Sequence, residues 1–366
     1  MKLTGLKKTV AIIGAITMIG ASLAGCGSKA SNNKNLDADA VIMKVGDEEV
    51  KFSEAYFLVK WQQANYQNVI AYNGSYGDDW YAQDIFGTGE SFQDYFKDYY
   101  EELLTRICIA RDKMDEYGLE LTAEEKADIE SVVKEFIDAN SDEALNAMLA
   151  DEDVVRQVLT DYKILEKVAA KEVEDINTDI SDEELKEAAY TRTYDYIYIS
   201  FETTDENGNS TTITAAEQED YINQLNIVRS QTIEKGDFDA AAEDAGQTVS
   251  SHTYTPGATA SEDRLYQINN YMDGLEIGEV SEVIPLDTTG VILAYMASDN
   301  TDKLNDEDTL STARESILSE RKLDKFQEVV KNWKSEYNID NKTDLWDKIT
   351  MEEPLAAASS SSTSSK

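Results

Sequence analysis

Few side chains in this sequence could perform nucleophilic or acid–base chemistry. The 366 residues include one histidine, His252, and two cysteines, Cys26 and Cys108. A single imidazole supplies neither a two-histidine metal motif nor a credible Ser–His pair, which disfavours hydrolase chemistry. We therefore predict no metal ion and no cofactor, and we assign no catalytic residue.

His252 and Cys108 each have a simple structural interpretation. The unperturbed pKa of imidazole lies near neutrality, so His252 could act as an acid or a base. The surrounding residues, Ser250–Gly257, are nevertheless typical of a loop, and we predict a loop histidine rather than a catalytic one. Cys108 lies in the apolar run Leu103–Ala110, whose helical spacing favours a buried thiol that packs as a small hydrophobic group.

Cys26 ends an N-terminal segment that has the pattern of an export signal. Three lysines precede an uncharged, mostly apolar run, Thr9–Leu23, which is shorter than the roughly 20 residues of a membrane-spanning helix. The sequence Leu23-Ala24-Gly25-Cys26 resembles the lipobox of bacterial lipoproteins. The resemblance implies removal of residues 1–25, acylation of Cys26, and residues 26–40 as a polar tether on the extracytoplasmic face of the cell membrane.

The composition is strongly acidic. The chain has 73 acidic and 33 basic side chains and a formal net charge of −40. Such a surface repels phosphate backbones, which argues against nucleic acid as a partner and against electrostatic docking to anionic lipid. A well-solvated surface is the simplest interpretation of the charge. The length is sufficient for two domains of roughly 100 to 200 residues each.

The N-terminal half is predicted to be mainly helical. Two short strands, Val41–Val45 and Glu49–Phe52, precede residues 53–189, in which apolar side chains recur at helical spacing. Thr122 with Glu125 fits a capping box, in which two side chains satisfy the exposed amides at a helix start.

A long amphipathic helix, Asp308–Tyr337, is predicted near the C-terminus. We expect it to pack against the N-terminal helices through its apolar residues, namely Ile317, Phe326, Val329, Val330 and Trp333. The serine-rich residues 354–366 have little to bury, and we predict a disordered tail.

The pattern changes to strands after residue 192. Thr193–Phe201 alternates with period two, which places Tyr194, Tyr196 and Tyr198 on one face of a strand and two isoleucines on the other. Asn207-Gly208 is typical of a hairpin turn, and we prefer that interpretation to a calcium loop because the ligand spacing of an EF-hand is absent.

Four short motifs in the second half carry a family resemblance. They are Tyr194–Ile199, Gly236-Asp237-Phe238 with Ala241 and Ala242, Leu275–Ser281, and Gly290–Met296. In this order they resemble the parvulin peptidyl-prolyl isomerase domain. With Val41–Glu54 upstream and with Lys325–Trp333 and Leu345–Ile349 downstream, the whole chain resembles exported foldases of the PrsA and SurA type.

The resemblance implies an α+β protein. A mainly helical, chaperone-like module would combine residues 41–190 with a C-terminal helix and strand, residues 303–353, that return to it. A parvulin-like α/β domain, residues 191–302, would be inserted between these segments.

The resemblance also locates the family's active-site positions. Its two histidines fall on Tyr196 and Ile292, and its cysteine or aspartate falls near Thr248, so isomerase activity is expected to be weak or absent. An apolar and aromatic groove could still hold a proline-containing segment, and the candidate groove residues are Tyr194, Tyr196, Tyr198 and Ile292. The three tyrosines could equally form a packed strand face.

The expected function is therefore a membrane-anchored, extracytoplasmic folding factor that acts on unfolded or partly folded exported proteins. Such a protein would be a holdase-like chaperone, and its classification as a peptidyl-prolyl isomerase stays open. The alternative is a solute-binding lipoprotein of a transporter, which normally needs two α/β lobes, whereas residues 53–189 supply almost only helices.

Overall fold

The computed structural model describes residues 36–73, 77, 79–204, 210–257, 264–286, 289–352 and 355. Cys26 with its signal segment, the Asn207-Gly208 turn and most of the serine-rich tail lie outside these residues. The protein is an α+β chain whose described part forms two compact units. Unit 1 contains the residues up to Ile176 and those from Arg321 onward, and unit 2 is Asn177–Glu320.

The helices and strands alternate in blocks along the chain. In chain order the helices are α1 (Phe52–Asn73), α2 (Phe92–Glu116), α3 (Ala123–Ala139), α4 (Asp142–Ala147), α5 (Glu152–Glu172), α6 (Asp182–Ala189), α7 (Ala215–Lys235), α8 (Phe238–Asp244), α9 (Arg264–Met272), α10 (Glu307–Glu336) and α11 (Thr343–Trp346). The strands are β1 (Val41–Val45), β2 (Glu48–Lys51), β3 (Arg192–Ser200), β4 (Glu202–Thr204), β5 (Ser210–Thr212), β6 (Ser250–Tyr254), β7 (Ile284–Leu286), β8 (Gly290–Asp299) and β9 (Ile339–Asn341). No helix within the described ranges is long and apolar enough to cross a membrane.

Unit 1 begins with a small antiparallel sheet in the order β2-β1-β9. The C-terminal strand pairs with the N-terminal one, with Met43 opposite Asn341 and Val45 opposite Ile339. The sequence placed a C-terminal strand at Leu345–Ile349, and this prediction was wrong, because residues 343–346 form the short helix α11. The folded unit also starts before Val41, since Leu36 already packs against its core.

Helices α1 to α5 follow this sheet in unit 1. The capping box predicted at Thr122 and Glu125 is confirmed: the Thr122 hydroxyl accepts a hydrogen bond from the Glu125 amide at 3.1 Å, and the Glu125 carboxylate accepts one from the Thr122 amide at 2.8 Å. Cys108 on α2 is a free, fully buried thiol, as its apolar neighbours indicated. Burial raises the pKa of this thiol to about 12, so it is an inert core residue.

The long helix α10 contributes to two different cores. Phe326, Val329, Val330 and Trp333 are buried in the core of unit 1, as predicted. Ile317 is different, because it packs with Leu185 and Ala189 of α6 in a small cluster of unit 2. The boundaries between the units, after residues 176 and 320, consequently lie outside the sequence-based limits at 190 and 303.

Unit 2 is built on an antiparallel sheet in the order β6-β3-β8-β7. Leu225 of α7 and Phe238 of α8 pack on the face of Ile197 and Ile199. Ile268 and Met272 of α9 pack on the opposite face, which contains the three tyrosines of β3, so the predicted division of β3 into two faces is confirmed.

One strand of this sheet was predicted to be a loop. Ser250–Tyr254 forms the edge strand β6, which pairs with Arg192–Tyr196 of β3. An edge strand with one face toward solvent does not need the apolar alternation by which a strand is usually detected in sequence. The Asn207-Gly208 turn lies outside the described residues, although the strands that flank it, β4 and β5, pair as an antiparallel hairpin.

Candidate functional site

The sheet face covered by α9 brings the four predicted groove residues together. In the register of β3 and β8, Tyr198 lies opposite Ile292 and Tyr196 lies opposite Ala294. Tyr194 belongs to the same face one pair further along. Tyr196 and Ile292, which the resemblance implies as the histidine positions, thus share one face of the sheet, and they present a phenol and an aliphatic side chain.

Burial divides these four residues into two classes. Tyr194 and Ile292 are 0% and 1% exposed. The Tyr194 hydroxyl donates a hydrogen bond to Oδ1 of Asn269 on α9 at 3.1 Å, which ties the ring to the helix that covers it. These two residues therefore form core, contrary to the expectation that they line a groove, and only the half-buried Tyr196 and Tyr198 offer surface to another molecule.

Tyr198 is held in place by its own strand partners. A Cβ atom on Gly290 would lie 2.4 Å from the carbonyl oxygen of Ile199 and 2.7 Å from the Tyr198 ring, so the close approach of β3 at the start of β8 requires glycine. The Tyr198 hydroxyl donates a hydrogen bond to the carbonyl oxygen of Thr289 at 3.1 Å. Tyr196 packs against the edge of the Tyr194 ring, with 6.0 Å between the ring centroids.

His252 is a strand residue rather than a loop residue. It lies on β6 opposite Tyr194, and the centroids of the two rings are 5.3 Å apart. The β6 residue opposite Tyr196 is Ser250, so the histidine does not occupy either family position. Thr248, near which the family's cysteine or aspartate would fall, is exposed and precedes the strand.

A buried arginine fixes the end of α9 against the sheet. Arg192, 9% exposed, donates hydrogen bonds to the carbonyl oxygens of Met272 at 3.0 Å, Asp273 at 3.2 Å and Leu275. A guanidinium group is well suited to satisfy several carbonyl groups at a helix C-terminus. The Tyr254 hydroxyl donates to Oδ1 of Asp273 at 2.8 Å, and burial together with this carboxylate raises the pKa of Tyr254.

The Gly236-Asp237-Phe238 motif has a structural role. Gly236 adopts the left-handed conformation, with a φ of 71°, that ends α7. The Asp237 side chain caps α8 by accepting a hydrogen bond from the amide of Ala240 at 2.9 Å. Phe238 stacks on Tyr295 with 5.5 Å between ring centroids. Three consecutive residues therefore end α7, begin α8 and place an aromatic ring in the core.

The Leu275–Ser281 motif pairs with the closing strand. The amide of Gly278 donates a hydrogen bond to the carbonyl oxygen of Met296 at 2.8 Å. The amide of Ser281 donates one to the carbonyl oxygen of Ala294, also at 2.8 Å. The Ser281 hydroxyl also accepts a hydrogen bond from the amide of Ala294 at 3.0 Å. The residues that carry the family resemblance therefore build the unit, and none of these contacts requires the family's histidines.

A second polar cluster lies buried in unit 1 and was not predicted. Arg111 forms a two-pronged ion pair with Asp161, through Nε to Oδ1 at 2.8 Å and through a terminal nitrogen to Oδ2 at 2.6 Å. A terminal nitrogen of Arg111 also lies 3.5 Å from Oε2 of Glu54. Burial and the neighbouring Asp161 raise the pKa of Glu54 to about 7, against the opposing effect of Arg111. Sequence alone gave no signal, because these residues come from three separate helices.

Comparison with known proteins gives remote structural neighbours. No protein-family profile matches the chain, and no curated protein sequence does. A SurA-like chaperone of Campylobacter jejuni (PEB4 or Cj1289) is 11% identical, with 82% of this chain and 99% of that chain covered and a TM-score of 0.29. The foldase protein PrsA of Streptococcus pneumoniae is 17% identical over 72% of this chain and 97% of its own, with a TM-score of 0.33. PrsA of Bacillus subtilis is 17% identical over 85% and 98%, with a TM-score of 0.21. These TM-scores are low, so the likeness by itself establishes no activity for this chain.

Proposed function

We propose that the chain is a membrane-anchored, extracytoplasmic folding factor that holds unfolded or partly folded exported proteins, which we call clients. The observation that carries the proposal is that different residues of unit 2 maintain its fold and stand at the active-site positions that the resemblance implies. The residues of the family resemblance serve its fold, whereas the two histidine positions hold Tyr196 and Ile292. A fold alone does not specify an activity, so the proposal depends on the chemistry that these side chains retain.

That chemistry favours binding over catalysis. An isomerase must lower a rotation barrier of about 18–20 kcal/mol by binding the twisted imide better than either planar form. Ile292 cannot donate or accept a hydrogen bond, and it is buried. Any prolyl isomerase activity of the chain is therefore weak or absent.

Exposed apolar side chains in unit 2 support contact with clients. Among the described residues, the large apolar side chains with more than half of their surface exposed all lie in this unit: Ile227, Ile233, Tyr271 and Ile277. Single exposed apolar residues are ordinary, and Ile227 and Ile233 lie on α7, on the sheet face opposite the tyrosines. Tyr271 lies on α9, which packs on the face of Tyr196 and Tyr198, so these three rings provide anchors for an extended apolar segment. Lipidation of Cys26 would hold this surface at the membrane where exported chains emerge.

The alternative function, a solute-binding lipoprotein, has one observation in its favour. A cavity of about 650 Å³ lies in unit 1, lined by residues that include Lys51, Glu54 and Gln157. Its walls come from helices and from the edge of a three-stranded sheet, whereas a solute-binding protein is normally built from two α/β lobes. We therefore rank this function second.

An aggregation assay tests the proposal. Residues 27–366, purified without the lipid, should slow the thermal aggregation of citrate synthase in proportion to their concentration. The same chain should give no binding heat with mixtures of amino acids, sugars or short peptides, which a solute-binding protein would bind. Unchanged aggregation together with saturable solute binding would reverse the ranking of the two functions.

A further inference from the structure

The C-terminal residues of unit 1 lie along α1 in the manner of a bound peptide. Residues 349–352 and Leu355, which we call the C-terminal segment, form no strand or helix of their own. Ile349, Met351 and Leu355 are nevertheless 0%, 1% and 8% exposed, because their side chains belong to the core of unit 1. The segment is thus anchored by separate apolar side chains, as extended peptides are in protein grooves.

Its backbone is held by a stripe of polar side chains on α1. Lys60, Gln63 and Gln67 follow one another at spacings of three and four residues, so they share one face of the helix. Lys60 Nζ donates to the carbonyl oxygen of Thr350 at 2.5 Å, and Gln63 Nε2 donates to that of Met351 at 3.0 Å. Lys60 and Gln63 are 3% and 0% exposed, so both polar groups are buried where they meet the segment.

Three further hydrogen bonds, made by two glutamines, have the pattern of a β ladder. Gln67 Nε2 donates to the carbonyl oxygen of Leu355 at 2.7 Å, and Gln67 Oε1 accepts from the amide of the same residue at 2.9 Å. Gln93 Oε1, on α2, accepts from the amide of Met351 at 2.6 Å. The side-chain amides therefore pair with the main chain as a neighbouring strand would.

All five of these hydrogen bonds are made to main-chain atoms of the segment. Every residue except proline offers the same amide and carbonyl groups, so the polar stripe can recognise a polypeptide without reading its sequence. Recognition that does not depend on the side chains of the bound segment suits a protein that must bind many different unfolded chains.

We propose that this groove between α1 and α2 is a binding site for extended client segments with spaced apolar residues, and that the C-terminal segment occupies it as a displaceable internal ligand. This inference rests on the proposed function. A tethered ligand competes at an effective concentration in the millimolar range, so it lowers the apparent affinity for clients without abolishing binding. Release of the segment opens the site.

The test uses residues 27–366 and reduced, carboxymethylated α-lactalbumin, a permanently unfolded chain. Leu355→Asp places a charge at a buried position and should release the segment, because an unpaired charge is costly to bury. We expect the variant to bind the unfolded chain at least about tenfold more tightly than wild type, since the internal competitor is gone. Glu352→Gln alters an exposed side chain of the same segment and should bind as wild type does.

Hydrogen exchange at the amides of Met351 and Leu355 provides a second readout on the unaltered chain. Adding the unfolded chain to wild type should accelerate exchange at both amides, because client and segment compete for one groove. Amides that stay as protected as those of α2, or a Leu355→Asp variant whose affinity is unchanged, would overturn this inference. If no form of the chain binds the unfolded protein or slows aggregation, the proposed function itself fails.

Discussion

Tyr196 and Tyr198 are neighbours on one sheet face, yet they differ in what holds them. Tyr198 lies across Gly290 and is hydrogen-bonded to the Thr289 carbonyl, so its ring completes the packing of β3 on β8. Tyr196 lies opposite Ala294 and does not contribute to that contact. We therefore assign client contact to Tyr196 and a structural role to Tyr198.

The variants Tyr196→Ala and Tyr198→Ala separate the two roles. Tyr196→Ala should weaken binding of carboxymethylated α-lactalbumin several-fold and should lower the free energy of unfolding less than Tyr198→Ala does, because no hydrogen bond to the Thr289 carbonyl is lost. Tyr198→Ala should lower that free energy by about 2 kcal/mol, because a half-buried ring and a hydrogen bond are lost. Urea titration and fluorescence anisotropy measure the two quantities. Equal loss of stability in both variants would contradict the assignment.

Glu54 predicts a pH dependence of stability. Its pKa is about 7 in the folded chain and 4.5 in its ordinary environment. Between these values the folded chain holds a proton that the unfolded chain has lost, so the free energy of unfolding falls as the pH rises from about 4.5 to 7. A shift of this size corresponds to about 3 kcal/mol.

Glu54→Gln should remove this loss, because the amide does not ionise. Relative to wild type, the variant should gain about 3 kcal/mol of stability between pH 5 and pH 8. Glu49→Gln, at an exposed surface pair with Lys44, is the matched control and should retain the wild-type slope. Parallel pH profiles for wild type and Glu54→Gln, measured by urea denaturation, would show that Glu54 does not titrate in this range.

At the scale of elements, helix α10 contributes side chains to two cores from different turns of the helix. Trp333 is 3% exposed and packs edge-on against Phe326, with 5.9 Å between ring centroids, in the core of unit 1. Ile317 is 8% exposed and belongs to the small cluster with α6. A single amphipathic pattern along the helix thus serves two separate partners.

Truncating these side chains should therefore destabilise different units. Trp333→Ala should cost about 3–5 kcal/mol and accelerate hydrogen exchange in α1 and α2. Ile317→Ala should cost about 2–3 kcal/mol at most and accelerate exchange in α6, with α1 and α2 unaffected. Lys331→Ala, an exposed position on α10, should change neither. Faster exchange in α1 after Ile317→Ala would contradict the separation of the two cores.

Elements with strong local signals were predictable, and contacts between distant residues were not. The capping box at Thr122 and the alternation in β3 depend on residues a few positions apart, and both were found from sequence. The edge strand β6 lacks apolar alternation, and the pairing of β9 with β1 depends on residues about 300 positions apart, so the C-terminal strand was placed too late. The Arg111–Asp161 pair and the Arg192 contacts likewise depend on tertiary structure alone.

For the candidate site, the sequence predicted which residues share a face but not how deeply they lie. Period two placed the three tyrosines together and the resemblance added Ile292, whereas the burial of Tyr194 and Ile292 follows from α9, whose position depends on Arg192 and Asn269. The sequence of a strand does not show which helix will cover it.

At the scale of the whole molecule, the acidic composition and the N-terminal cysteine point to one arrangement. A net charge of −40 offers no attraction to anionic lipid, so we expect any membrane attachment to come from acylation of Cys26. The charge also keeps a protein with exposed apolar side chains in solution.

Cys26→Ser should prevent lipidation. We expect the variant to appear as unprocessed precursor or as soluble protein in the extracytoplasmic fraction, whereas wild type should partition with membranes. Cys108→Ser, which removes the other thiol, should leave membrane attachment unchanged. Mature Cys26→Ser protein that stays membrane-bound would show that another segment anchors the chain.

The central claim is that unit 2 has a binding surface for clients and lacks efficient prolyl isomerase activity. The most direct test measures cis–trans isomerisation of a proline-containing tetrapeptide in parallel with suppression of citrate synthase aggregation, using residues 27–366 and the variants His252→Ala and Tyr196→Ala. The account predicts isomerisation near the uncatalysed rate in all three proteins, with aggregation suppressed by wild type and His252→Ala but less by Tyr196→Ala. Rapid isomerisation that His252→Ala abolishes would contradict it and would make the unit an enzyme with a relocated catalytic histidine.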